Sequence, residues 1–221
     1  MKQPKRIVNP WSPAVKRRSL LQGGFGLLAA STAVGRAHAA LFATPSQTSG
    51  PFYPVKIPLD SDNDLLKVTG QEKEANGEVL HIFGQIVNVD GQPLSDTRIE
   101  IWQCDSRGYY HHPRDRGGQA DPNFQGFGHN VSTEGGHFRF RTLVPVSYPG
   151  RTPHIHLQVI TPDGRQLVTQ FYIKDYPGNE RDFLYRRLEG PQAKASVEMK
   201  LTPAPDLEAG SQRSDVVIVL A

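Results

Sequence analysis

HIHLQVI, residues 154–160, alternates with a period of two. His154, His156 and Gln158 fall on one face of an extended strand, and Ile155, Leu157 and Val159 fall on the other. The apolar face belongs to a core, so both imidazoles project together from the opposite side. Two strand rises set their Cβ atoms roughly 6.6 Å apart. Both rings can then tilt onto one ion at about 2.0–2.1 Å, with neutral imidazole nitrogen as the donor. The pair alone also fits two exposed strand histidines, and a metal site needs further ligands.

Working outward, this strand runs through Thr161-Pro162-Asp163-Gly164 into Gln166–Ile173, the pattern of a hairpin. Glu78–Val89 is rich in β-branched and aromatic residues and ends at the turn dipeptide Asp90-Gly91. RIEIWQ (98–103) and HFRFRT (137–142) alternate, and Ala195–Leu201 and Asp215–Leu220 complete the strand candidates. Asn179–Leu188 reads as a short helix. Many short strands with Gly/Pro turns predict an all-β fold, a β-sandwich of mostly antiparallel strands with long irregular loops. Residues 40–77, rich in Pro, Ser, Gly, Asp and Asn, read as an ordered arm rather than a packed element. Asp105–Glu134 reads as a long, polar, irregular insert of the kind that carries function. GFG at 126–128 lacks a strand–GxGxxG–helix context and reads as a hinge or tight turn.

The first 39 residues read as a leader. Lys16-Arg17-Arg18-Ser19-Leu20-Leu21 precedes an apolar Gly/Ala-rich run from Gly23 to Gly35 and then Ala37-His38-Ala39. This is a charged region, a short apolar region and an A-x-A cleavage site. The paired arginines resemble a twin-arginine export signal, with Lys16 where Ser or Thr is usual. The apolar run is shorter than the ~20 residues that span a bilayer. The expectation is therefore a periplasmic or secreted protein, cleaved after Ala39, with no stable membrane insertion. The leader holds seven of the 25 basic residues and no acid, which leaves 18 basic against 22 acidic residues, a net −4, in place of the whole chain's +3. That balance gives no electrostatic case for nucleic acid. The remaining 182 residues suit one domain. The predicted organisation is a signal peptide (1–39), an N-terminal arm (40–77) and a sandwich domain (78–221). Cys104 is the only cysteine, so no intrachain disulfide forms.

The same cysteine count excludes a thiolate site, and no H-E-x-x-H motif suggests zinc chemistry. The nearby oxygen donors are tyrosines: Tyr148, six residues before His154, and the pair Tyr109-Tyr110. A phenol has a pKa near ~10, so it ligates only a strongly Lewis-acidic ion. Trivalent iron is such an ion, and two imidazoles with two phenolates differ from the 2-His-1-carboxylate set of ferrous oxygenases.

Longer motifs carry a resemblance. TPSQTSGPFYP (44–54), GQIVNVDGQPL (84–94), RIEIWQCDSRGYY (98–110), DPNFQGFGHN (121–130), FRFRTLVPVSYPGRTPHIH (138–156) and LVTQFYI (167–173) resemble the intradiol ring-cleavage dioxygenases, in particular the protocatechuate 3,4-dioxygenase branch. The resemblance implies one non-haem Fe(III) per chain, held by Tyr110, Tyr148, His154 and His156. Register favours Tyr110 over Tyr109 as the axial ligand. It also implies catalytic roles for Tyr110, for Arg151, which would stabilise negative charge on the substrate ring, and for Gln170, which would line the oxygen side of the pocket. The implied reaction cleaves a catechol-type ring between its hydroxylated carbons with O2, giving a muconate-type diacid. The family includes dimers and larger assemblies, so a homo-oligomer is open. This chain departs from the branch between Tyr148 and Arg151, where only Pro149-Gly150 intervene, so that pocket wall should be short and open. Which catechol is the substrate does not transfer.

His81 and His137 read as structural, Trp102 as core and Cys104 as inert. His111 and His112 read as neighbours of the site or solvent-facing, and His129 as a residue of the insert with a pocket-edge role open. VDGQPLSDTRIEIWQ also resembles transthyretin-like domains. A non-catalytic binding module is therefore the competing reading, one with no reason to hold the full Tyr110, Tyr148, His154 and His156 set.

Overall fold

The structure, a computed structural model, describes residues 40–115 and 118–221. The leader, its twin-arginine motif and its cleavage site lie outside the described residues. Among the described residues, nine strands form two sheets. β1 (Val79–Asn88), β4 (His137–Leu143), β8 (Thr202–Pro203) and β9 (Gln212–Leu220) make one, in the order β4-β1-β9-β8. β2 (Arg98–Trp102), β3 (Phe127–Val131), β5 (His154–Ile160), β6 (Gln166–Ile173) and β7 (Glu198–Met199) make the other, in the order β3-β2-β5-β6-β7. Pairing is antiparallel except for β1 with β9 and β6 with β7. The all-β expectation holds. Among the described residues no helix is long and apolar enough to cross a membrane.

The inward residues of both sheets meet in one core. Leu80, Ile82, Ile86, Phe140 and Ile218 come from the first sheet, and Ile99, Ile101, Ile155, Leu157, Val159 and Phe171 from the second. Each such side chain contributes about 1.5–3 kcal/mol when fully buried. Gly84 takes an inward position on β1 because the Phe138 ring opposite fills the space, and a Cβ there would lie 2.0 Å from Phe138 Cζ.

Four local expectations differ from the structure. The segment 40–77 is partly core, since Leu65 and Leu66 are fully buried and Asp64 bridges to Arg141. The insert 105–134 contains β3, which pairs along all of β2. GFG is therefore the entry to a strand, and Gly128 lies so close under the Asp62 carbonyl and Leu65 that a side chain has no room. Asn179–Leu188 forms two 3₁₀ turns, 179–181 and 185–187, not one helix. Asp182 separates them because its Oδ1 accepts the Leu184 and Tyr185 amides, competing with helical pairing. Ala195–Leu201 is a helix end followed by a two-residue strand: α1 (Gly190–Ala195) closes at Ser196, and only Glu198–Met199 pairs with β6.

Candidate metal centre

The second sheet has its other face covered by the arm. On this face β5 presents His154 and His156, β2 presents Trp102, and β6 presents Gln170 and Tyr172, in cross-strand register. The arm lies over them. Gln47 donates its backbone amide to Val168 O, its Nε2 bonds Thr169 Oγ1 and Gln170 O, and its Oε1 accepts the Tyr172 hydroxyl at 2.7 Å. The result is a second apolar cluster of Trp102, Cys104, Tyr110 and Phe127, with Phe52, Tyr53 and Tyr148 packed on it. That covering role for 44–54 was invisible in local pattern, because the bonds of Gln47 to β6 span more than 100 residues and the contacts of Phe52 and Tyr53 about 50 or more.

Four side chains converge inside this cluster. His154 and His156 are 1% exposed and bring their Nε2 atoms to 3.2 Å of each other. The Tyr148 ring lies 5.5 Å from His154, and Tyr110 lies 5.8 Å from Tyr148 and 6.3 Å from His156. Tyr110 is thus the tyrosine that the fold brings to the histidines. Tyr109 packs elsewhere, against the Arg107 guanidinium and Gly118. Phe52 stacks on Tyr110 at 4.4 Å.

Charge and protonation suit a cation. Burial, followed by the charge of Arg151, pushes the His154 imidazole down to about 3. Burial, followed by the charges of His154 and Arg151, holds His156 well below its ordinary value. Both rings are therefore neutral, as ligands must be. The Nδ1–H of His154 donates to Thr152 O at 2.7 Å, so its Nε2 carries a lone pair aimed at His156 Nε2. Burial raises both phenols; Tyr148 raises Tyr110 further, whereas Arg151 pulls Tyr148 back. Tyr110 Oη is buried without a hydrogen-bond partner. Facing imidazole nitrogens beside an orphaned phenol are what a Lewis-acidic ion would satisfy, so the residues fit a metal. No group of three or more His, Cys, Asp or Glu gathers among the described residues, and a set completed by phenols accords with that.

Arg151 sits beside this set because SYPGR folds as a tight turn. Arg151 N donates to Tyr148 O at 2.9 Å, with Pro149 at the second position and Gly150 at φ +84°, the signature of a type II turn. The guanidinium is fixed twice, Nε to Asp182 Oδ2 at 2.8 Å and Nη2 to Gln170 Oε1 at 2.6 Å. Gln170 Nε2 is committed to Thr48 O at 2.8 Å, which leaves its oxygen for Arg151. Burial disfavours the Asp182 charge, but Arg151 and the Thr152 and Tyr185 amides outweigh it and hold the carboxyl below its usual range. Asp182, with its side chain wholly buried, was missed by sequence reasoning; no motif flags a carboxylate 31 residues from its partner.

The remaining candidates fall outside the cluster or at its edge. His112 is buried, meets Phe52 edge-on at 5.7 Å and accepts the Arg114 amide at Nδ1, while His111 bonds Asp121 O. His129 bonds Ser61 O and clips the arm to β3, away from the cluster. Burial raises the Cys104 thiol to about 12, in keeping with an inert residue. Two cavities flank the centre. One of about 250 Å³ is lined by Tyr148, Arg151, Tyr176 and Arg181, and one of about 240 Å³ by Phe52, Val55, Tyr110 and Phe127. A larger cavity of about 580 Å³ lies behind the arm and is lined by none of the four converging residues. A Cβ on Gly150 would meet nothing within 4 Å, so the short turn leaves open space.

The profile of the family described as Dioxygenase (Dioxygenase_C) matches residues 48–195, and the chain belongs to that family, the intradiol dioxygenases. Among curated relatives, the protocatechuate 3,4-dioxygenase beta chain of Burkholderia cepacia is 35% identical over 127 residues, 53% of this chain and 53% of that protein. Catechol 1,2-dioxygenase of Acinetobacter baylyi is 30% identical over 166 residues, 67% of this chain and 52% of that protein. The chain thus spans about half the length of these relatives. Among solved structures, the dioxygenase domain of a dioxygenase–carbohydrate-binding protein fusion from a Streptomyces species superposes with a TM-score of 0.63 at 28% identity, over 81% of this chain and 98% of that one. The family match sets aside the transthyretin-like alternative.

Proposed function

We propose that this chain is a non-haem Fe(III) intradiol dioxygenase that opens a catechol-type ring between its hydroxylated carbons and places both atoms of O2 in a muconate-type diacid. The observation that carries the reading is the convergence of Tyr110, Tyr148, His154 and His156 beside an arginine held from two sides. In this reading His154, His156 and Tyr148 hold the ion and Tyr110 completes the set. A ferric ion there supplies Lewis acidity, favouring ionised ring hydroxyls and drawing electron density from the ring. Tyr110, if held as the phenolate, would take a proton from a substrate hydroxyl, and its apolar setting favours the neutral phenol that results. Arg151 Nη atoms, preorganised by Asp182 and Gln170, stabilise negative charge on the ring without reorganising. Phe52, Trp102 and Phe127 exclude water from the reacting carbons.

Purification in air after expression with iron supplied tests this. One iron per chain, a red to burgundy phenolate-to-iron band that Tyr148→Phe bleaches or shifts, and O2 uptake with catechols yielding the diacid are expected. A colourless, iron-free protein would overturn it. The open space at Gly150 favours substrates bulkier than protocatechuate, and a panel of substituted catechols ranks them. Twin-arginine export with cleavage after Ala39 belongs to the same proposal, supported by Arg17-Arg18-Ser19-Leu20-Leu21 and Ala37-His38-Ala39. A mature protein from the periplasm beginning at Ala40 is expected; cytoplasmic retention of the uncleaved chain would refute it.

A further inference from the structure

The two imidazoles are oriented by different means. His154 has a hydrogen bond behind it, Nδ1–H to Thr152 O. His156 has none: its Nδ1 is buried without a partner. Ligating histidines almost always donate their second ring N–H, which fixes ring orientation. His156 instead meets two closely fitted surfaces. Trp102, its cross-strand neighbour, stacks on it with centroids 5.0 Å apart and planes 4° apart. Gly50, on the arm, approaches the Cε1–Nε2 edge so closely that a Cβ there would lie 3.2 Å from Cε1 and 3.7 Å from Nε2.

We propose that Trp102 and Gly50 are positioning residues for His156, and that indole stacking and glycine packing take the place of the missing hydrogen bond in aiming its Nε2. The inference rests on the reading of His156 as a ligand. Trp102 is itself braced: Tyr53 packs edge-on against it at 4.9 Å, and the Tyr53 hydroxyl donates to Glu100 Oε2 at 2.8 Å. Glu100, 4% exposed, in turn accepts from Arg98 Nε at 2.7 Å. That series ties the buried Glu100 carboxylate on β2 to the placement of the indole. Gly50 is placed by its amide's bond to Thr48 Oγ1, and the Thr48 carbonyl is tied to Gln170. A side chain at position 50 would be strained, because φ is +67° and a Cβ would press on the ring.

The test loads the full chain with iron and compares Trp102→Leu, Trp102→Phe, Gly50→Ala and Gly164→Ala. Gly164 has a comparable positive φ of +87° but open space around it, so its alanine variant isolates backbone strain from contact with His156. Iron affinity is read by competition with a chelator, and coordination symmetry by the rhombicity of the high-spin ferric resonance. Trp102→Leu and Gly50→Ala should lose iron affinity about 10-fold or more, the scale for removing an orienting partner, with altered rhombicity. Trp102→Phe and Gly164→Ala should stay near wild type. If Trp102→Leu does not fold, the contrast of Gly50→Ala with Gly164→Ala decides. Wild-type affinity and rhombicity in Gly50→Ala, or equal losses in Gly164→Ala, would overturn the proposal while iron in the wild type leaves the metal reading standing. Absence of iron from the wild type would overturn both.

Discussion

Replacing Asp182 by alanine removes one carboxylate and strands four donors: Arg151 Nε and Thr152 N on Oδ2, at 2.8 and 3.0 Å, and Leu184 N and Tyr185 N on Oδ1, at 2.9 and 3.1 Å. The carboxylate side chain is 0% exposed and that of Arg151 10%, so water cannot readily replace what is lost. Breaking a buried ion pair from one side costs about 3–5 kcal/mol. For a domain of this size that corresponds to a fall in Tm of roughly 6–20 °C, at ~2–4 °C per kcal/mol. Asp182→Asn keeps one acceptor and should lose less, on the order of 1–3 kcal/mol. Urea unfolding of wild type, Asp182→Ala, Arg151→Met and the double variant gives the coupling directly, expected at about 1–3 kcal/mol for groups in contact. The depressed Asp182 carboxyl stabilises the fold above the ordinary carboxylate pKa. This contribution fades as pH falls through the folded value, so wild type and Asp182→Asn should converge in acid. A loss below about 1 kcal/mol in Asp182→Ala, or a coupling below ~0.5 kcal/mol, would refute the reasoning.

Arg151→Ala should retain iron and colour yet lose about 10²–10³-fold in kcat, since the guanidinium acts on charge developing in the ring and not on the ion; steady-state O2 uptake checks it. Gly84→Ala should cost about 1–3 kcal/mol by driving a methyl into the Phe138 ring, read as a lower urea midpoint with unchanged m. Glu74 and Glu208 are held below their usual range first by hydrogen bonds to Arg141. Arg141→Met should therefore be destabilised most above pH ~4.3, and its gap from wild type should narrow as pH falls and those carboxylates protonate; pH-dependent thermal melts decide the sign.

β5 and β6 were legible almost to the residue, because alternation and the Thr161–Gly164 turn are local signals that tertiary packing only reinforces. Tyr110, Tyr148, His154 and His156 were legible through family register, and the fold brings them together. β3 was not, since FGHNV has little strand propensity and owes its conformation to pairing with β2. The helix expected over 179–188 failed for a nameable reason, the capture of two amides by the Asp182 side chain. Trp102 read as core is correct as burial, but its plane against His156 follows only from strand register between β2 and β5.

The arm's bonds to β6 join residues separated by 122 to 125 positions, among the longest spans in the chain. The sandwich rests on pairings just as distant, since β1 and β9 pair across 132 positions (Leu80 with Gln212), yet none of its strands uses residues 40–48. The sandwich is therefore separable from the cover of its site: the strands can pair without the first residues of the arm, whereas His154 and His156 are closed off only when those residues dock. A chain shortened past Thr48 should then fold, melt cooperatively and leak iron, separating retention of the metal from folding.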